Sequence, residues 1–377
     1  MVIFSRFLIV VLAVGLSTHT VAGIALADGT IKVASIYALT GVAANATATS
    51  VRGIRAGIRD INNRGGVLGK QLELLELDNH STPINSKVAA DQAVQAGVVA
   101  ILGASWSSHS LAVARVAQVA KVPMITNIST HPAVTEVGDY IFRVCFDDRF
   151  QGQVMATFAR RELNAAKAVT FVDVASDYSI ELAREFKRSF EKQGGQVALE
   201  VHYKQKQEAF APLVKEAKQA SPDVLFIPGY DESFAILRDA AEAGLSTIPI
   251  GGDGWDSPDL LRLGHGFIKQ AYYCTHWARE ANGKATNAYL ASHMSPENVR
   301  APEVLAYDAV HILADAIRRA GSLDRAKIRD ALAATRDFKG LTGTITFDAN
   351  RQVTKAAVIM KITDGGEHFF KTVTPHQ

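Results

Sequence analysis

Cysteine is nearly absent, with two in 377 residues. That excludes a disulfide scaffold and any multi-cysteine zinc or iron–sulfur centre. A charge excess is missing too: 40 Lys and Arg stand against 38 Asp and Glu, a formal net charge of +2. So small an excess cannot anchor a chain on a phosphate backbone, and no nucleic-acid partner is expected. Long apolar runs are confined to the N-terminus. There Arg6 precedes Phe7 through Leu16, shorter than the ~20 residues of a membrane span, and Ala25-Leu26-Ala27 precedes Asp28. A positive start, an apolar centre and small residues at the first and third positions predict a secretory signal peptide over 1–27, cleaved after Ala27. The mature chain, 28–377, is then expected to be exported. At ~150 residues per domain its length suggests two domains.

The common catalytic signatures are also missing. Gly65 and Gly69 enclose one residue too few for a phosphate loop, Gln71 stands where a Ser or Thr is needed, and the segment follows a helix. No G-x-G-x-x-G follows the first strand. Gly103-Ala104-Ser105-Trp106-Ser107 lacks the closing glycine of a nucleophile elbow. The 11 histidines include no H-x-x-x-H pair. No cofactor, no metal and no catalytic residue is therefore expected, and the weight moves to binding.

What is present is a regular alternation. Ile31–Tyr37 reads as a strand; Val51, Ile54, Ile58 and Ile61 recur at helical spacing; Leu72, Leu74 and Leu77 make the next strand. A helix near 83–96, the buried-strand run 98–103, a helix near 108–120 and a strand at 122–126 follow. The rhythm restarts with strands at 168–173, 197–203, 224–228 and 248–251, separated by helices near 178–193, 208–220 and 232–243. Helices near 302–320 and 324–334 and strands near 342–348 and 355–363 close the chain. This pattern predicts an α/β protein with two doubly wound parallel-sheet lobes.

Ligands of open α/β sheets settle outside the carboxyl ends of the strands. Five such ends here carry polar loops. They hold Ser105 to Ser108, Asn127 to His131 (including Ile128, Ser129 and Thr130), Ser176 to Tyr178, Gly229 to Asp231 with Tyr230, and Gly252 to Trp255 with Asp253. Hydroxyls beside helix-terminal amides suit a carboxylate. Asp253 can pair with an ammonium, and Tyr178, Tyr230 and Trp255 offer aromatic walls. The set fits a zwitterion held between two lobes.

At this point the chain resembles the periplasmic binding proteins for branched-chain and other amino acids that feed ABC importers. The likeness rests on Thr40-Gly41, Asp60 through Lys70, Leu77-Asp78, Pro123 through Thr126, Phe142-Arg143, Asp148 with Gln151-Gly152, and Ala241 through Gly244. It implies type I periplasmic-binding lobes joined by three crossings, at 140–148, 272–277 and 344–347. Lobe 1 would comprise 28–145 plus 275–344, and lobe 2 would comprise 146–274 plus 345–377. Cys145 and Cys274 fall in two of the crossings, either as free thiols or as a bonded pair. The resemblance implies Ser107 as carboxylate ligand, Ile128 backbone and Thr130 for carboxylate and ammonium, Tyr178 and Tyr230 as phenols, and Asp253 as the ammonium's partner. It further implies a monomer that delivers ligand to ABC permease membrane subunits. Two departures stand out: Asp253 is a methylene shorter than the glutamate common in the family, and Ala44-Asn45-Ala46 replaces an aromatic wall. Another small carboxylate, amide or aromatic acid is the alternative ligand. A third reading, an exported hydrolase, would need His109 or His131 as a base beside Ser107.

Overall fold

The computed structural model describes residues 29–375 except 205, 206, 208, 258, 260–263, 265, 293–297 and 365. The expected signal peptide and its cleavage point lie outside the described residues, as does the expected helix start at 208. Two sheets organise the remainder. The first runs β2-β1-β3-β4-β5, all parallel, from β1 (Ile31–Tyr37), β2 (Leu72–Asp78), β3 (Ala100–Gly103), β4 (Met124–Thr126) and β5 (Ile141–Arg143). Between its strands lie α1 (Ala44–Asn63), α2 (Pro83–Gln95), α3 (Ser107–Val119) and the single turn α4 (Ala133–Glu136).

The second sheet holds β6 (Lys167–Asp173), β7 (Gln196–Tyr203), β8 (Val224–Ile227), β9 (Ile248–Gly251) and β10 (Gln270–Thr275), with α5 (Asp148–Arg161), α6 (Asp177–Lys192), α7 (Ala211–Gln219) and α8 (Ser233–Glu242). After α9 (Arg279–Ala291), α10 (Ala301–Ala320), α11 (Arg325–Ala333) and the small hairpin β11 (Phe338–Gly340) and β12 (Gly343–Ile345), the chain returns to this sheet as β13 (Ala357–Thr363) and β14 (Gly366–Val373). Its order is β14-β13-β10-β9-β8-β6-β7. The expected parallel sheet thus carries an antiparallel edge, because β13 runs against β10 and β14 against β13. The helices α5 and α9 and the strand β14 have no counterpart in the sequence pattern, and β10 covers most of the stretch expected as the second crossing.

The lobes share the chain's end because α10 belongs to the first core. Leu305, Val310, Leu313 and Ile317 pack with Ile54, Ile58 and Ile61 of α1. That approach needs Gly53 and Gly57: a Cβ on Gly53 would lie 2.0 Å from the Glu303 carbonyl oxygen, and one on Gly57 2.8 Å from Val310. α2 and α3 cover the sheet's other face with Ala89, Ala93, Val113 and Ala114.

Three passages join the cores. Cys145 lies in the first and Phe146 in the second; Cys274 lies in the second, while Trp277 packs with Ala56 and Val304. The third passage departs from the expectation of 344–347. Ile345, Phe347 and Val353 all pack in the first core, and Ala357 is the first residue of the second, so the chain passes between 353 and 357. Lys355 sits inside this passage, fully buried, and its Nζ donates to Val144 O at 3.4 Å and to Thr342 Oγ1. Both cysteines are buried and free, so the bonded alternative is not made. No helix among the described residues is long and apolar enough to cross a membrane.

Candidate functional site

Strand order reverses once in each sheet. β1 is flanked by β2 and β3, and β6 by β7 and β8. Loops leaving neighbouring strands at such a point diverge to opposite faces and leave a crevice. Here the two crevices face each other. Ala46 after β1 and Ser105 to Ser107 after β3 meet Tyr178 after β6, Tyr230 after β8 and Asp253 after β9 around one cavity of about 430 Å³, counting the part open to solvent. The space that the centre of a water-sized sphere can reach inside it is only about 40 Å³, so the side chains nearly fill the cleft.

Six of the eight residues expected from sequence line this cavity: Ser107, Ile128, Thr130, Tyr178, Tyr230 and Asp253. Ser129 does not. Its hydroxyl is buried against Ala104 O (3.1 Å), Ser105 O (2.7 Å) and Ser110 Oγ (2.5 Å), so it ties two loops together behind the site. Trp255 does not either. Its ring is fully buried in the second core, over Gly251, where a Cβ would lie 2.3 Å from the indole. The indole that lines the cavity is that of Trp106, from the other lobe.

Trp106, on the first lobe, stacks on Tyr230 of the second with ring centroids 4.2 Å apart and planes 9° apart. Tyr178 continues the stack at 5.1 Å. Trp106 is also the N-cap of α3 and makes no side-chain cap bond. The first amides of α3 are therefore left for solvent or ligand beside the Ser107 hydroxyl. Ser107 Oγ accepts the His131 backbone N–H at 3.3 Å, and its own proton is free to donate. Tyr178 Oη accepts the Gly254 N–H at 3.0 Å. Burial pushes both tyrosines well above the ordinary phenol range, so each remains a donor.

The opposite wall is acidic. Asp253 Oδ1 accepts from Gln151 Nε2 at 2.9 Å, and its Oδ2 lies 3.2 Å from His276 Nε2. His276 is wholly buried, and that burial pulls its pKa below the ordinary imidazole value against the pull of Asp253. The contact is therefore a neutral imidazole donating to a carboxylate rather than an ion pair. Each Asp253 oxygen keeps a lone pair for a further donor. Behind it lies Asp148, fully buried, whose pKa is raised well above the carboxylate range by burial first and by the Asp253 charge second. No Lys or Arg lines the cavity among the described residues. A ligand's positive charge would meet Asp253, and its negative charge would meet the amides of α3.

The histidines named for a hydrolase are engaged elsewhere. The His109 ring bonds Asn79 and stacks on Trp106 at 5.4 Å. His131 Nδ1 accepts the Ala133 N–H at 3.1 Å. Neither ring bonds the Ser107 hydroxyl among the described residues.

With fold and cleft in place, comparison with known proteins decides the family. The profile of the periplasmic binding proteins matches residues 30–367. The chain belongs to the periplasmic binding protein family. A leucine-binding protein from Thermotoga maritima has the same fold, with a TM-score of 0.88 and 34% identity over 92% of this chain and 99% of its own. A Leu/Ile/Val-binding protein homolog 3 of Brucella melitensis is 28% identical over 91% of this chain and 94% of its own. A leucine-, isoleucine-, valine-, threonine- and alanine-binding protein of Pseudomonas aeruginosa is 28% identical over 87% and 88% respectively.

Against this periplasmic binding protein's geometry, the sequence reading missed two kinds of residue. Asp148 and Gln151 contributed to the family likeness, yet nothing local showed that they stand behind Asp253. Asp256, Ser257 and His276 carried no signal at all, since their roles depend on how the loop after β9 meets the end of β10.

Proposed function

We propose that the protein is the extracytoplasmic solute-binding component of an ABC importer. It traps an amino acid between its lobes and presents it to the permease membrane subunits, acting as a monomer without a catalytic step. The observation that carries this is the polarity of the cleft: helix-start amides and Ser107 on one lobe, the Asp253 carboxylate on the other, and no lining cation. A zwitterion satisfies both ends. A simple carboxylic acid would leave Asp253 facing a second negative charge. Lobe closure is the general route by which such a cleft captures its ligand.

A thermal-shift screen of amino acids and simple organic acids on the purified protein tests the reading. A ligand at 100 times its Kd adds ~2.7 kcal/mol to stability, a shift of several degrees. Amino acids should raise the melting temperature, and Asp253→Asn should abolish that response while keeping the parent's unliganded melt. Stabilisation by simple carboxylates alone would overturn the proposal.

A further inference from the structure

Resting on the amino-acid reading, the far end of the cleft defines the ligand's side chain. The carboxylate and ammonium groups are accounted for by Ser107, Thr130 and Asp253. Apart from the aromatic rings, Ile128 and Gly254, the rest of the lining is Ala46 of α1, Ser105 after β3, Pro302 of α10, and Asp256 and Ser257 after β9. Three of these five carry side-chain oxygen atoms. Asp256 is 6% exposed, and accepts Thr275 Oγ1 at 2.6 Å on Oδ2 and Arg300 Nη1 at 3.4 Å on Oδ1. Ser257 is 2% exposed, and its hydroxyl accepts the Asp259 N–H at 3.2 Å. Ser105 Oγ shares a 3.3 Å contact with Ser50 Oγ. A carboxylate oxygen has room for more than one donor, so Asp256, which lines the cavity, retains accepting capacity.

Arg300 also reaches Glu367 Oε2 at 2.8 Å, so its guanidinium is shared between two carboxyl groups. An aliphatic side chain placed here would strip water from Asp256, Ser257 and Ser105 and return no hydrogen bond, a loss that sites built on buried polar groups impose strongly.

We infer that the bound amino acid carries a side chain ending in a hydrogen-bond donor, as a hydroxyl, a carboxamide or an ammonium does. Asp256 and Ser257 recognise it, and the branched aliphatic amino acids are disfavoured.

Isothermal titration calorimetry with L-serine, L-threonine, L-glutamine and L-lysine against L-leucine, L-isoleucine and L-valine tests this. At least one donor-bearing amino acid should bind roughly tenfold to a hundredfold more tightly than all three aliphatic ones. Ser257→Ala should narrow that preference by about threefold or more, and Asp256→Asn should narrow it further. The serine variant keeps the test open if the aspartate variant, which loosens Arg300, unfolds. Tighter binding of leucine, isoleucine or valine than of every donor-bearing amino acid would overturn the inference and leave the amino-acid reading standing. Binding of simple carboxylic acids with no response to any amino acid would overturn both.

Discussion

Gln151 and Asp253 are bonded twice. The Gln151 amide nitrogen donates to Asp253 Oδ1 at 2.9 Å, and its amide oxygen accepts the Asp253 backbone N–H at 2.6 Å. The same nitrogen reaches Asp148 Oδ1 at 3.3 Å, so one amide fixes the rotamer of the carboxylate that lines the cleft. Gln151→Leu keeps the volume but leaves Asp253 a buried N–H and an oxygen without partners. Urea unfolding should show a loss of about 2–4 kcal/mol, and calorimetry a weaker ligand affinity. A variant as stable as the parent would mean that the two bonds contribute nothing.

Asp148 should gain stability by losing its charge. Its folded-state pKa is raised, so the unfolded chain gives up its proton at a lower pH than the folded one. The stability tied to that proton is full at low pH and declines as pH rises above the ordinary carboxylate range. Asp148→Asn is neutral at every pH and avoids that decline. Chemical denaturation should find it equal to the parent near pH 4 and more stable at pH 8.

His109 predicts the opposite slope. Burial lowers its pKa to about 4, whereas the unfolded chain takes the proton near 6.5. Its contribution is complete above pH 6.5 and is lost as pH falls from there toward 4. His109→Gln should reduce the acid-side loss of stability by on the order of 1–3 kcal/mol. Melting curves from pH 7 to 4 measure it, and parallel curves for the two chains would count against the assignment.

The close pairing of α1 and α10 gives a packing prediction. A methyl group on Gly53 meets the Glu303 carbonyl rather than a side chain that can turn aside. Gly53→Ala should therefore destabilise by about 2–4 kcal/mol, although alanine favours helices. An unchanged urea midpoint would show that the helices can part freely.

Much of the architecture was legible because parallel strands buried on both faces leave continuous apolar runs, as Val98 through Gly103 does. The third passage between lobes was not. Ile345 and Phe347 read as apolar residues of a strand whichever core they join, and only packing decides between the two. The cleft itself was legible to the extent that polar loops follow strands. A loop's composition does not say which way each side chain turns. Ser129 turns back onto the carbonyls of Ala104 and Ser105, and Trp255 folds inward because Gly251 has no side chain to block it. Trp106, read only as part of a polar turn, became the wall because the cap position of α3 aims it across the cleft.

The stack of Trp106 on Tyr230 sets a speed limit as well as a shape. A solute that takes the path between the stacked rings enters only after they separate, so capture by that path would begin with a step that contains no solute. At low concentration the observed association rate rises with solute. At high concentration it levels off at the rate at which the two rings part, and a protein without the indole would show a higher plateau. Overall affinity is lowered by the fraction of time the pair stays closed, which makes this single aromatic contact a setting for how fast, and at what concentration, the cleft fills.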